Sequence, residues 1–155
     1  MSPNESVANL GASKLKTAVS HIGIAEGGAP FIIGCRCSIC TQVFAGARAT
    51  CAKCGARSQM IALKLRETGR IHTYSVVHRS FPGIKTPFVS ATVSLDGGGN
   101  VQGTVRNVAT DAAAALFNLP VRLQFEVTDQ LDREGASFLA YYFTPVEEAV
   151  GVFDV

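Results

Sequence analysis

The sequence predicts a mostly β chain: an N-terminal helix, then a rubredoxin-like zinc ribbon, then a five-stranded OB-fold barrel. Three observations predict it. The five cysteines lie close together, and four of them form two Cys-x-x-Cys pairs, Cys37/Cys40 and Cys51/Cys54, ten residues apart. Segments alternating apolar and polar residues follow, with Gly, Pro and Asp between them, which is the pattern of short strands and turns. Before them, residues 4–22 carry Val7, Leu10, Leu15, Ala18, Val19 and Ile22 near the helical period. The expected organisation is helix and linker over 1–30, ribbon over 31–58, and barrel with a C-terminal tail over 59–155.

Gly11 weakens the N-terminal helix by about 1 kcal/mol relative to Ala, so the helix has to pack on something. "GIAEGGAP" (23–30) reads as a linker broken by Gly and Pro. "MIALKLR" (60–66) predicts the first barrel strand, Thr68-Gly69 a turn, and "RIHTYSVVHR" (70–79) the next strand. "FVSATVSL" (88–95) and "NVQGTVRNV" (100–108) flank "DGGG", a hairpin signal. "DAAAALF" (111–117) predicts a short helix capped by Thr110 or Asp111. "VRLQFEVTDQL" (121–131) and "SFLAYYFTPV" (137–146) complete a small closed barrel.

Two tight turns can present four thiolates to one tetrahedral ion, with Zn–S near 2.3 Å. Gly55, directly after Cys54, permits the positive φ that a knuckle needs. A thioredoxin-like redox pair would instead open a helix in a βαβ unit, which is absent. An iron site can use the same ligands. A catalytic zinc would keep one position for water, whereas four thiolates close the shell, so the metal expected at Cys37, Cys40, Cys51 and Cys54 is a structural Zn2+. Two roles are open to Cys35: a strand residue before the first knuckle, or a competitor with Cys37 for the metal.

Composition narrows the function classes. Apolar residues make up 47% and charged residues 17% of 155, enough for a core and too ordered a balance for a disordered chain. No apolar run has the length of a membrane helix, and the N-terminus lacks the pattern of a signal peptide, so a cytoplasmic, reducing setting is expected. Charge is uneven. Residues 35–70 carry seven cations against Glu67 alone, net +6, while residues 121–155 carry Arg122 and Arg133 against seven acids, net −5. Ribbons and OB barrels can both bind single-stranded nucleic acid, which is the alternative reading. The acidic C-terminal part and the absence of Trp argue against it. His72 and His78, at even spacing, are expected on one strand face with Tyr74 and Val76, with no nucleophile or carboxylate pair at a motif spacing. No catalytic residue is expected in this chain. The loop "HRSFPGIKTPF" (78–88) is the other functional-looking segment: Arg79, Phe81, Lys85 and Phe88 suit a ligand with an apolar arm and phosphates, or a protein interface.

The order of helix, four-cysteine ribbon and barrel resembles a known family. The barrel opens with "LRETGRIHTYSVVHR" and continues "PFVSATVSLDGGGNVQGTVRNV". The resemblance is to the zinc-ribbon/OB-fold proteins that accompany acyl-CoA enzymes as small partners of thiolases and hydratases. It implies zinc on the four paired cysteines and a thiolase-like catalytic subunit as partner in a hetero-oligomer. That partner would supply the nucleophile and base, and coenzyme A or acyl-CoA would be shared between the two. Within the family the likeness runs to subunits serving thiolases of anaerobic toluene breakdown. Two departures are visible: no proline precedes the third cysteine, and Cys35 is extra.

Overall fold

The computed structural model describes residues 15–111 and 113–146. Among these residues ten strands form two sheets. In chain order they are β1 (Leu15–Thr17), β2 (Ile22–Ile24), β3 (Pro30–Cys37), β4 (Val43–Ala45), β5 (Met60–Lys64), β6 (Thr68–Val77), β7 (Phe88–Leu95), β8 (Asn100–Val105), β9 (Pro120–Leu131) and β10 (Ser137–Pro145). β6, β7, β8, β10 and β9 pair in that order, and β9 also pairs with β6, closing a five-stranded barrel. β8 and β10 run parallel while the other barrel pairs are antiparallel, as a Greek-key connection requires. The barrel is an OB-fold.

β7 shows why the barrel forms. Val89, Ala91, Val93 and Leu95 point inward and are buried, while Ser90, Thr92 and Ser94 alternate outward. Val101, Leu123, Phe125, Leu139 and Phe143 fill the interior from neighbouring strands. The second sheet is the ribbon. β3 is its centre, with β2 and β4 along one edge and β5 on the other.

Several expectations are corrected. Residues 15–24 are not helical: β1 pairs in parallel with β10, and β2 pairs with β3. Thr17, Val19, Ile22 and Ile24 are β-branched, and tertiary pairing overrides a weak helical period there. Residues 4–14 of the expected helix lie outside the described residues, as does the C-terminal segment with Glu147, Glu148 and Asp154. The expected linker is a hairpin turn, closed by Gly28 N–H donating to the Ala25 carbonyl at 2.8 Å. Met60–Lys64 joins the ribbon sheet instead of the barrel, and Thr68-Gly69 lies inside β6, not in a turn. The expected helix at 111–117 is a single 3-10 turn, Ala113–Leu116.

Ribbon and barrel share one core. Ile22 and Ile32 of the ribbon sheet and Leu65 beyond it are buried with the barrel interior. At the seam, the Tyr141 hydroxyl donates to the Gln102 carbonyl at 2.6 Å and lies 2.9 Å from His21 Nε2. Gly98, at φ +106°, lets the β7–β8 turn approach Val43, where a Cβ would lie 2.8 Å from the valine.

Candidate functional site

The two cysteine turns are built alike. β3 ends at Cys37, whose N–H donates to the Gln42 carbonyl and whose carbonyl accepts from Thr41 N–H at 3.0 Å. Cys51 repeats this: its N–H donates to the Ala56 carbonyl and its carbonyl accepts from Gly55 N–H at 2.9 Å. Thr41 and Gly55, each following the second cysteine of its pair, both have positive φ, +64° and +76°. Gly55 adopts it freely; Thr41, β-branched, does so at a cost of about 1–3 kcal/mol.

This geometry turns backbone dipoles toward sulfur. Cys37 Sγ accepts from the N–H groups of Cys40 and Ile39, and its thiol is held below the ordinary value mainly by the Cys40 contact. Cys51 Sγ accepts from Cys54 and Lys53 N–H groups, which pull it to about 6, the Cys54 donor contributing most. Cys54 accepts from Ala56 N–H, but desolvation and the three neighbouring thiols outweigh that donor and push it up to about 12. The backbone donors thus favour the thiolate at Cys37 and Cys51, while Cys54 holds its proton more firmly than an ordinary thiol.

The Sγ atoms of Cys37 and Cys54 are 3.7 Å apart, those of Cys40 and Cys51 3.5 Å, and all four lie within 4.8 Å of one another. A tetrahedron with metal–sulfur bonds near 2.3 Å needs sulfurs roughly 3.8 Å apart. The donor set therefore fits a metal ion with little movement, and it fills four positions with thiolate. Cys35 is buried in β3 opposite Phe44 and Ala62, outside this cluster.

The second feature is a cavity of about 590 Å3 at one end of the barrel. The loop 78–87 forms one wall with Ile84, Lys85 and Pro87, followed by Phe88 of β7; Thr104, Arg106 and Val108 form the other. Of the loop residues singled out in the sequence, Lys85 and Phe88 are thus brought together. Arg79 and Phe81 are exposed and do not line the cavity. The sequence reading missed Arg106, because "VRNV" carries no motif. Its guanidinium is bound by both carboxylate oxygens of Glu126 and sits 3.8 Å above the Tyr142 ring, which raises its pKa chiefly through Glu126. Lys85 has no acidic partner among the described residues, so the cavity mouth carries one uncommitted cation.

His72 and His78 form no site. Between Ile71 and Thr73 the β6–β7 register shifts, and the extra residue, His72, is left exposed while Tyr74 and Val76 pack on the core. The outward surface of β6–β8 carries Thr73, Ser75, Ser90, Thr92, Gln102 and Thr104, around a shallow hollow at its centre. The hydroxyls and the amide around the hollow supply neither the stacking rings nor the row of cations that a single strand of nucleic acid needs; Arg70, at the end of this face, donates to the Asn118 carbonyl at 3.1 Å.

Residues 64–126 match the family model described as the C-terminal OB-fold domain of ChsH2. The match covers β6 to the first half of β9. A DUF35 domain-containing scaffold protein of Methanocaldococcus jannaschii is 28% identical over 118 residues, 75% of this chain and 82% of the relative. One of Methanothermobacter thermautotrophicus, described in the same words, is 28% identical over 116 residues, 74% of this chain and 86% of the relative. Among solved structures, the Ltp2-ChsH2(DUF35) aldolase shares the fold with a TM-score of 0.56 at 24% identity, over 74% of this chain and 84% of that one. No helix among the described residues is long and apolar enough to cross a membrane.

Proposed function

We propose that this chain is a non-catalytic, zinc-containing subunit of an acyl-CoA thiolase-type acyltransferase complex. The observation that carries the reading is the closed four-sulfur cluster at the tip of a ribbon that shares its core with an OB barrel. Such a centre stiffens a projecting element and leaves no position for substrate. The likeness to two archaeal scaffold proteins over three quarters of the chain supports a scaffolding role. The ion assigned to Cys37, Cys40, Cys51 and Cys54 is Zn2+. When bound it supplies folding energy to a ribbon with few buried side chains of its own. In this reading the thiolase-like partner holds the nucleophile and base, and this chain docks on it in a cytoplasmic hetero-oligomer. Lys85 and Phe88, which line the cavity, suit the phosphates and apolar arm of a coenzyme A thioester shared with that partner, while Arg79 and Phe81, outside the cavity, suit contact with the partner itself. The narrower form of the proposal is the small subunit of a thiolase acting on 2-benzoylsuccinyl-CoA in anaerobic toluene degradation.

The test is co-expression of the full chain with thiolase-like subunits of the source organism, followed by gel filtration with light scattering and a thiolysis assay. A stable complex whose activity requires both chains is the expected result. A chain that stays alone in every pairing refutes the proposal. The nucleic-acid reading is the weaker one, because the centre of the β6–β8 face offers hydroxyls and an amide where a single strand needs stacking rings.

A further inference from the structure

The loop joining β6 to β7 holds apolar side chains that the barrel does not use. Phe81 is 81% exposed and Ile84 48% exposed. Isolated exposed apolar residues are ordinary, but these two sit at the ends of one tight turn. Ile84 N–H donates to the Phe81 carbonyl at 3.2 Å, with Pro82 and Gly83 between them and Gly83 at φ +89°. That is the arrangement of a type II turn, with proline and glycine at the positions that favour each. The projection is therefore shaped before any contact is made, which lowers the entropy cost of docking.

Its surroundings select the partner's chemistry. From His78 to Leu95 the chain holds Arg79 and Lys85 and no acidic residue. Arg79 and Lys85 are exposed and have no acidic partner among the described residues, whereas the nearby Arg106 is neutralised by Glu126. We infer that the Phe81–Ile84 turn is a docking knob that inserts into an apolar hollow with an acidic rim on the catalytic partner subunit. Phe81 fills the hollow and Arg79 meets the rim, with Lys85 adding its positive field from the cavity beside them. This inference rests on the partner proposed above. It adds which surface of this chain is read and what the complementary surface must contain.

The experiment measures binding of the full chain to the thiolase-like subunit with which it co-purifies, by biolayer interferometry at low and high salt. Phe81→Ser is expected to weaken Kd about thirtyfold or more, the size of an interface hot spot. Arg79→Glu with Lys85→Glu is expected to slow association about tenfold or more at low salt, and the effect shrinks at high salt. Phe117→Ser, which removes an exposed aromatic outside this loop, is expected to leave Kd unchanged. Thermal melting checks that each variant folds, and Ile84→Ser is the second probe of the knob if Phe81→Ser melts early. If the wild-type chain binds and both knob variants bind equally well, the knob is refuted while the partner reading stands. If no thiolase-like subunit binds, both fall. Sedimentation showing a Phe81-dependent dimer of this chain, or Phe81-dependent binding to anionic vesicles, would assign the turn to another occupant and overturn the inference.

Discussion

Replacing Cys51 by Ser tests the metal centre most sharply. Cys51 is buried, its sulfur lies 3.5 Å from that of Cys40, and two backbone N–H groups point at it. Structural zinc in comparable small modules contributes of order 10–16 kcal/mol of apparent binding free energy at neutral pH. The cluster is already near tetrahedral spacing, so little of that is spent on rearrangement. Removing one ligand of four, taken as a quarter of the total, weakens metal binding roughly a hundred- to a thousandfold. The assay is metal content by mass spectrometry after dialysis against a graded chelator series, with sulfur coordination read by X-ray absorption. Wild type is expected to hold one zinc with four sulfurs, and Cys35→Ser to match it, because Cys35 lies outside the cluster. Cys51→Ser is expected to release the ion at far lower chelator strength. Equal retention by Cys51→Ser, or equal loss from Cys35→Ser, refutes the assignment.

Tyr141→Phe removes the hydroxyl that joins Gln102 and His21 across the ribbon–barrel seam, and should cost about 1–2 kcal/mol in urea unfolding. Burial holds the His21 imidazole below its ordinary value, so the unfolded chain binds a proton first. Its contribution to stability is therefore complete above about pH 6.5 and declines as pH falls toward the folded-state value; His21→Gln should flatten that part of the pH–stability curve. Gly98→Ala places a Cβ 2.8 Å from Val43 at φ +106° and should destabilise by about 1–3 kcal/mol, read as a lowered Tm.

The barrel strands were legible because a half-buried strand writes its period into the sequence, as β7 does with Val-x-Ala-x-Val-x-Leu. The four-sulfur site was legible because ligand spacing is local. What escaped depends on partners distant in sequence. "MIALK" reads as a strand, but nothing in it says that it pairs with Ile33–Cys37 instead of joining the barrel. Leu15–Thr17 is a strand only because β10 offers an edge 122 residues later, at Ser137–Leu139. The bulge at His72 shifts the face of one residue without altering the composition around it. The cavity was half legible: Lys85 and Phe88 belong to a loop with visible turn chemistry, whereas Arg106 joins them only through the β7–β8 register.

The shared core makes the metal centre more than a local staple. Ile32 sits on β3 only five residues before Cys37, and Leu65 follows β5, the other strand hydrogen-bonded to that end of β3. Burying each side chain is worth about 1.5–3 kcal/mol, comparable to a large share of a domain's net stability. If the ribbon loses its ion and β3 frays from the knuckle, Ile32 and Leu65 lose their hold beside the barrel. Chelation should then reduce hydrogen-exchange protection both at Ile33–Cys37 and at barrel residues next to the seam, Gly103 and Tyr141 among them. Val76 and Val89 serve as the reference, because they pair at the end of β6–β7 away from the turn that meets the ribbon. Loss of protection confined to residues 33–60 would show instead that the barrel stands without the ribbon, and that the two sheets share a boundary but not their stability.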